Sequence, residues 1–159
     1  MNPEIRQLHA RKLVGMHGMQ TMDTYDVSTL WRRFMPRRKE IQHVVTTDLY
    51  SLSVYPPDFF IQFNPSTPFE KWAAMEVSLY EELPEGMEVL TLPDGLYAVF
   101  QHKGDAAAFY TLHQYIYTQW LPGSAYVLDD RPHFELLGAG YRHNDPDSEE
   151  EVWVPVKRK

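Results

Sequence analysis

An α+β fold of duplicated β-α-β-β units, related by a pseudo-two-fold and leaving a cleft between the halves, is what this sequence predicts. Three observations predict it. The order strand, helix, strand, strand is read once in about residues 1–80 and again in about 85–159, within one domain of 159 residues. Each half has a glycine soon after its first strand (Gly15, Gly104) and a tryptophan in its helix (Trp31, Trp120). Hydrophobic residues make up 43% of the chain, enough for two such units to share a buried core. Units repeated at this length pack against one another, and the seam between them is concave.

The first half begins with a strand over residues 5–14 (IRQLHARKLV), ending at Gly15. Asp26 or Ser28 caps a helix whose Val27, Leu30, Trp31 and Phe34 fall at helical spacing. Pro36 kinks or ends that helix, because a proline inside it removes a hydrogen bond and clashes. The polar residues 37–42 resume it. Residues 50–55 (YSLSVY) alternate as a strand and stop at Pro56-Pro57. Residues 56–70 hold four prolines with Phe59, Phe60 and Phe63, and read as a loop lying over the domain. Residues 72–79 (WAAMEVSL) form the next strand.

A polar turn at residues 81–88 separates the halves. Residues 89–92 and 96–102 flank Pro93-Asp94-Gly95, the residue types of a hairpin turn. Asp105 caps a second helix whose Phe109, Leu112, Ile116 and Trp120 make one apolar stripe, ended by Pro122-Gly123. Residues 134–137 and 152–156 are the closing strands, with the acidic stretch Asp145–Glu151 read as a loop between them.

Composition excludes several classes of function. With 22 acids against 15 bases the net charge is −7, which opposes binding to phosphate backbones. The basic run Trp31–Lys39 (WRRFMPRRK) reads as a solvated helix face. The absence of cysteine removes disulfides, thiolate metal sites and a cysteine nucleophile, and suits a cytoplasmic chain. No HxH or HExxH pair, glycine-rich phosphate loop or G-x-S-x-G elbow occurs, so no metal and no cofactor are expected. No signal-peptide pattern opens the sequence, and no apolar run is long enough to span a membrane.

Chemistry centres on Glu135, an acid between Phe134 and Leu136 in an apolar strand. A lone buried carboxylate is costly, so either Glu135 faces water or something positive or hydrogen-bonding meets it. In the second case it lies at the floor of a cleft, pairing a cation or handling a proton. Tyr55, Trp72, Tyr97, Phe109, Trp120 and Trp153 are the candidate walls, since flat aromatic faces attract cations and stack planar groups. Core packing is the alternative fate of each. Among seven histidines, His113 sits beside the apolar stripe of the second helix and is placed to face the seam.

Four stretches in order, LPDGLYAVFQHKG, YIYTQWLPGSAY, DDRPHFE and VWVPVK, resemble the GyrI-like effector-binding family. That family also forms the C-terminal domain of AraC-type and MerR-type multidrug regulators. The resemblance covers about Met87 to the C-terminus, the first half being compatible with it. It implies the duplicated fold, and a cleft taking flat, lipophilic, often cationic compounds against aromatic side chains and one carboxylate. The acid of the RPHFE segment, Glu135, stands at that carboxylate's place. A DNA-binding domain precedes the sensor in the regulators, and 159 residues leave no room for one, so direct DNA binding is not expected.

The family's stand-alone relatives span three functions, and each has a form in this sequence. A binding module would sense or sequester hydrophobic, cationic small molecules. A hydrolase of cyclopropane-bearing toxins would use Glu135 to activate water, with Tyr110 or Tyr117 polarising the leaving group. A protein-interaction role, with gyrase or a regulator as partner, would draw on the acidic surface.

Overall fold

The computed structural model describes residues 2–159. Nine strands lie among them: β1 (Glu4–Leu8), β2 (Arg11–Gln20), β3 (Leu49–Val54), β4 (Phe69–Val77), β5 (Glu88–Leu92), β6 (Gly95–Lys103), β7 (Tyr126–Leu128), β8 (His133–Leu137) and β9 (Glu149–Arg158). Two α-helices join them, α1 (Ser28–Phe34) and α2 (Ala106–Tyr115). All pairings are antiparallel, in the order β1-β6-β9-β8-β3-β4-β2-β5, with β7 on β9. The fold is α+β, a mostly antiparallel sheet with two helices.

Pro93-Asp94-Gly95 is not a hairpin turn. β5 pairs with β2, and β6 with β1. One register runs from Glu4↔Val99 and Leu8↔Gly95 on to Arg11↔Leu92 and Gly15↔Glu88, so two long strands bend together. At the bend, Asp94 Oδ1 accepts a hydrogen bond from the Ala10 amide. The expected single strand over residues 5–14 is accordingly two, broken at His9-Ala10. At Gly15 the neighbouring strand comes so close that a Cβ would stand 2.0 Å from the Ala73 carbonyl oxygen.

Side chains alternate between the faces of the sheet. One face gathers Leu8, Leu13, Tyr50, Leu52, Trp72, Leu92, Tyr97, Val99, Phe134 and Trp153 into a central core. On the other face, Leu30 and Phe34 of α1 pack on Val14, Met16, Ala73 and Met75. Leu112 of α2 and the following Ile116 pack on Ala98, Phe100, Val152 and Val154. α1 ends at Phe34, and Pro36 opens a 3₁₀ turn (Met35–Glu40), which tolerates a proline in its first turn. Asp105 caps α2 as expected, its Oδ1 accepting from the Ala108 amide at 3.1 Å. The helix then widens into a π turn at Ile116–Trp120. Glu149–Glu151, expected in a loop, are the first residues of β9, because they pair with Lys103–Gln101 of β6.

Candidate functional site

α1 covers β2 and β4, and α2 covers β6 and β9, so the helix-side face of β3 and β8 lies between the two helices. The sequence explains what is displayed there. In β8, Phe134 enters the central core, which turns His133 and Glu135 to the helix side. The register sets Ser51 of β3 on one side of Glu135 and Val152 of β9 on the other. One row along, His133 meets Ser53, and Ser53 meets Lys71 of β4. Glu150 falls on the same face of β9 as Val152.

Lys71 is 2% exposed, and its ammonium donates to Ser53 Oγ at 3.1 Å. The Tyr25 ring lies 5.9 Å away. Burial opposes the Lys71 charge, yet the Glu135 carboxylate and the Tyr25 and Tyr55 phenols outweigh it, and the lysine pKa is raised. Burial pushes the second carboxyl, Glu150, up to about 7; Glu135 adds to the rise and Lys71 opposes it. Burial drives His133 down to about 3, helped by His113, Lys71 and Arg131. His113 is lowered by burial against the pull of Glu135, and its Nε2 has no hydrogen-bond partner. Glu135 therefore faces a built-in cation, a second acid and two neutral imidazoles.

Aromatic rings cover this group. Tyr117 lies in the π turn, a distortion frequent at functional sites, and its hydroxyl meets His133 Nδ1 at 3.1 Å. Phe60, from the loop after β3, stacks on Tyr117 at 5.6 Å and on His133 at 5.5 Å. Tyr55 meets His133 edge-on at 4.9 Å, and Phe59 supports Tyr55 and Phe60 from beneath. The proline-rich loop thus lies over the domain, as its composition suggests. A cavity of about 360 Å³ beside β1, β6 and α2 is lined by Asn2, Glu4, Val99, Phe100, Gln101 and Leu112, none of them a predicted site residue.

Of the predicted residues, the fold gathers Glu135, Tyr55, His113 and Tyr117. Phe109 borders them, 4.5 Å from the His113 ring. Trp72, Tyr97 and Trp153 lie in the central core with Phe134, on the opposite face of the sheet. Trp120 packs edge-on to Phe100 at 5.3 Å in the core beneath α2. Tyr110 is 66% exposed. Sequence reasoning missed Lys71, Glu150, His133 and Phe60. Lys71 had a readable signal: in FEKWAAMEV it is the one cation on the alternation Phe69, Lys71, Ala73, Met75.

The stretches that carry the resemblance act one step behind these residues. Arg131 donates to the Leu96 carbonyl at 2.6 Å and the Val156 carbonyl at 3.0 Å, and its guanidinium lies 4.7 Å from the Tyr97 ring. Tyr97 in turn donates to the Pro132 carbonyl at 2.7 Å. A Cβ at Gly95 would sit 2.3 Å from the Arg131 guanidinium carbon, so the glycine leaves room for this crossing. These contacts hold β8 in register, and the register aims Glu135. Among the described residues no group of His, Asp or Glu is placed to hold a metal, and no helix is long and apolar enough to cross a membrane.

Comparison with known proteins agrees with this architecture. The family model described as GyrI-like small molecule binding domain matches residues 1–157. Transcriptional regulator BrlR of Pseudomonas aeruginosa is 29% identical over 161 residues, covering 96% of this chain and 57% of BrlR. The chain thus spans little more than half of that curated relative. The structure of SAV2435 bound to tetraphenylphosphonium has a TM-score of 0.72 at 19% identity, covering 99% of this chain and 94% of that one. The C-terminal domain of EcmrR gives a TM-score of 0.68 at 12% identity, covering 98% and 96%. The two structural likenesses establish the fold.

Proposed function

The chain belongs to the GyrI-like small-molecule-binding family, and from that premise we propose that it takes flat, hydrophobic, cationic compounds on the helix-side face of β3 and β8, as a cytoplasmic sensor or sink. The observation that carries this reading is the position of Glu135, on the sheet face between two helices and on the same side of β8 as His133, which the rings of Tyr55, Phe60 and Tyr117 surround. A lipophilic cation loses its hydration on entry, and a carboxylate in a low-dielectric groove offsets that loss. The tetraphenylphosphonium named for SAV2435 shares the hydrophobic and cationic parts of this chemistry, four phenyl rings set tetrahedrally on one positive centre.

We further read the fold as two related units meeting at β3 and β8. Matching β1 with β5, β2 with β6, β3 with β8 and β4 with β9 turns the strand order into its own reverse. Each unit is then a β-α-β-β module preceded by one extra strand, which pairs with the other module. On this reading the groove is the seam itself, and Glu135 lies on it opposite Ser51.

Fluorescence titration with a cationic dye and a neutral dye of similar shape tests the function. Glu135→Gln weakens the cation at least tenfold and leaves the neutral dye within about threefold. Equal losses for both dyes would remove Glu135 from this role.

A further inference from the structure

We propose that the groove recognises zwitterionic ligands, with Lys71 receiving the anionic or strongly accepting group while Glu135 faces the cationic centre. The inference rests on the small-molecule reading above and narrows its ligand class.

A buried lysine is an expensive way to fill space. Methionine has a similar volume and no charge to desolvate, so an ammonium at a site 2% exposed needs a partner to offset its cost. Glu135 is the obvious internal partner. Its field raises the Lys71 pKa, yet among the described residues no ion pair within 4.0 Å joins the two. The sheet explains why. Lys71 is on β4 and Glu135 on β8, with β3 between them, so their backbones stand about 10 Å apart or more. The two charges sense each other across the groove without closing on each other.

Hydrogen bonding points the same way. An ammonium has three N–H donors, and Ser53 Oγ at 3.1 Å accepts one. The Tyr25 phenol, on a surface loop and 47% exposed, is a second hydrogen-bonding neighbour that favours the charged lysine, which leaves one N–H for a ligand. Beside Lys71 there is room. Its register partner on β2 is Gly18, and a Cβ built there meets nothing within 4 Å. Residues directly opposite in an antiparallel pair point to the same face, so this space adjoins the lysine. At the other side stand Glu135, Glu150 and the unpartnered Nε2 of His113, all acceptors when His113 is neutral and protonated at Nδ1. One end of the groove donates and the other accepts. A simple monocation answers only the second end.

Two dyes sharing one xanthylium chromophore separate the possibilities: rhodamine 6G, an ethyl ester and a cation, and rhodamine 19, its free acid and a zwitterion. The expected result for the full chain is binding of the acid at least tenfold tighter than the ester at pH 7.5. Lys71→Met abolishes that preference, by weakening the acid and not the ester. Lys71→Gln gives the same result where the methionine variant does not fold, and the wild-type comparison needs neither variant. Equal or tighter binding of the ester by the wild type overturns the proposal and leaves the cationic groove standing. A preference for the acid that survives in a folded Lys71 variant also overturns it, by removing Lys71 as the cause. If the wild type binds neither dye, the reading of the preceding subsection fails, and this one with it.

Discussion

The Tyr117 hydroxyl and the Nδ1 of His133 stand 3.1 Å apart, and Phe60 stacks on both rings. This contact joins the π turn after α2 to β8, two residues from Glu135. Tyr117→Phe leaves a buried ring nitrogen without its partner, a loss of about 1–2 kcal/mol. Urea denaturation at pH 7 measures it, and an unchanged midpoint would show that the hydrogen bond contributes nothing.

The same histidine sets an acid limit on stability. His133 is held down to about 3, by burial first and then by His113, Lys71 and Arg131, against 6.5 for the free side chain. A depressed pKa means stability that is present above the unfolded value and lost as pH falls toward the folded one. The contribution of His133 is therefore lost progressively from about pH 6.5 toward pH 3. His133→Asn, which does not titrate, flattens that loss. A variant with the wild-type slope over this window would assign the acid sensitivity to other groups.

Glu150 acts with the opposite sign. Burial, then the Glu135 carboxylate, raises its pKa from 4.5 to about 7, while Lys71 pulls the other way. The neutral acid is the form the folded state favours, so its contribution is fully present below the unfolded pKa and is lost as pH rises through the folded one. Because the side chain is partly open to solvent, the effect is about 1–2 kcal/mol rather than the full value of the shift. Glu150→Gln is thus more stable than the wild type at pH 8 and equal to it at pH 4, read from thermal unfolding at both. Ionisation also adds a second negative charge near Glu135. Wild-type affinity for a lipophilic cation therefore rises between pH 6 and pH 8, and in Glu150→Gln it does not.

What the sequence made legible here was local. Alternation around Phe134 and Leu136 located Glu135, and Asp105 announced the start of α2. The faces of the aromatics were not legible, because they depend on which residue of β9 meets which residue of β8. Phe134↔Trp153 is a pairing across many residues of chain, and it carries Trp153, Tyr97 and Trp72 into the core. Pro93-Asp94-Gly95 misled for a related reason. The same residue types suit a hairpin turn and a bend between strands that pair with others. Glu150 was hidden in an acidic run that looks solvated until β6 pairs with it.

The two faces of the sheet make a prediction about tryptophan. The Trp153 ring stacks on Phe134 with centroids 5.0 Å apart and lies with Tyr97 in the central core. Trp153→Phe removes buried surface and leaves a gap, costing about 1–3 kcal/mol. Ligand affinity stays within about threefold, because the helix-side face is untouched. A larger affinity loss in a variant of normal stability would return Trp153 to the ligand's wall.

Phe60 is the converse case. It is 40% exposed and touches the site through Tyr117, His133, Tyr55 and Phe59, on a loop bracketed by Pro56-Pro57 and Pro65. Little of the core depends on it, so Phe60→Ala costs about 0.5–1.5 kcal/mol, the worth of its aromatic contacts. Its effect on binding is kinetic. A flat ligand that stacks on Tyr117 and His133 needs the surface that the Phe60 ring occupies, so the ring must move before the ligand enters and closes over it afterwards. Removing the ring takes away both the barrier to entry and the cover over the bound state. Stopped-flow fluorescence with a rhodamine dye should show association and dissociation each accelerated at least threefold, with a smaller change in Kd. An association rate equal to that of the wild type would mean that Phe60 is not in the ligand's path.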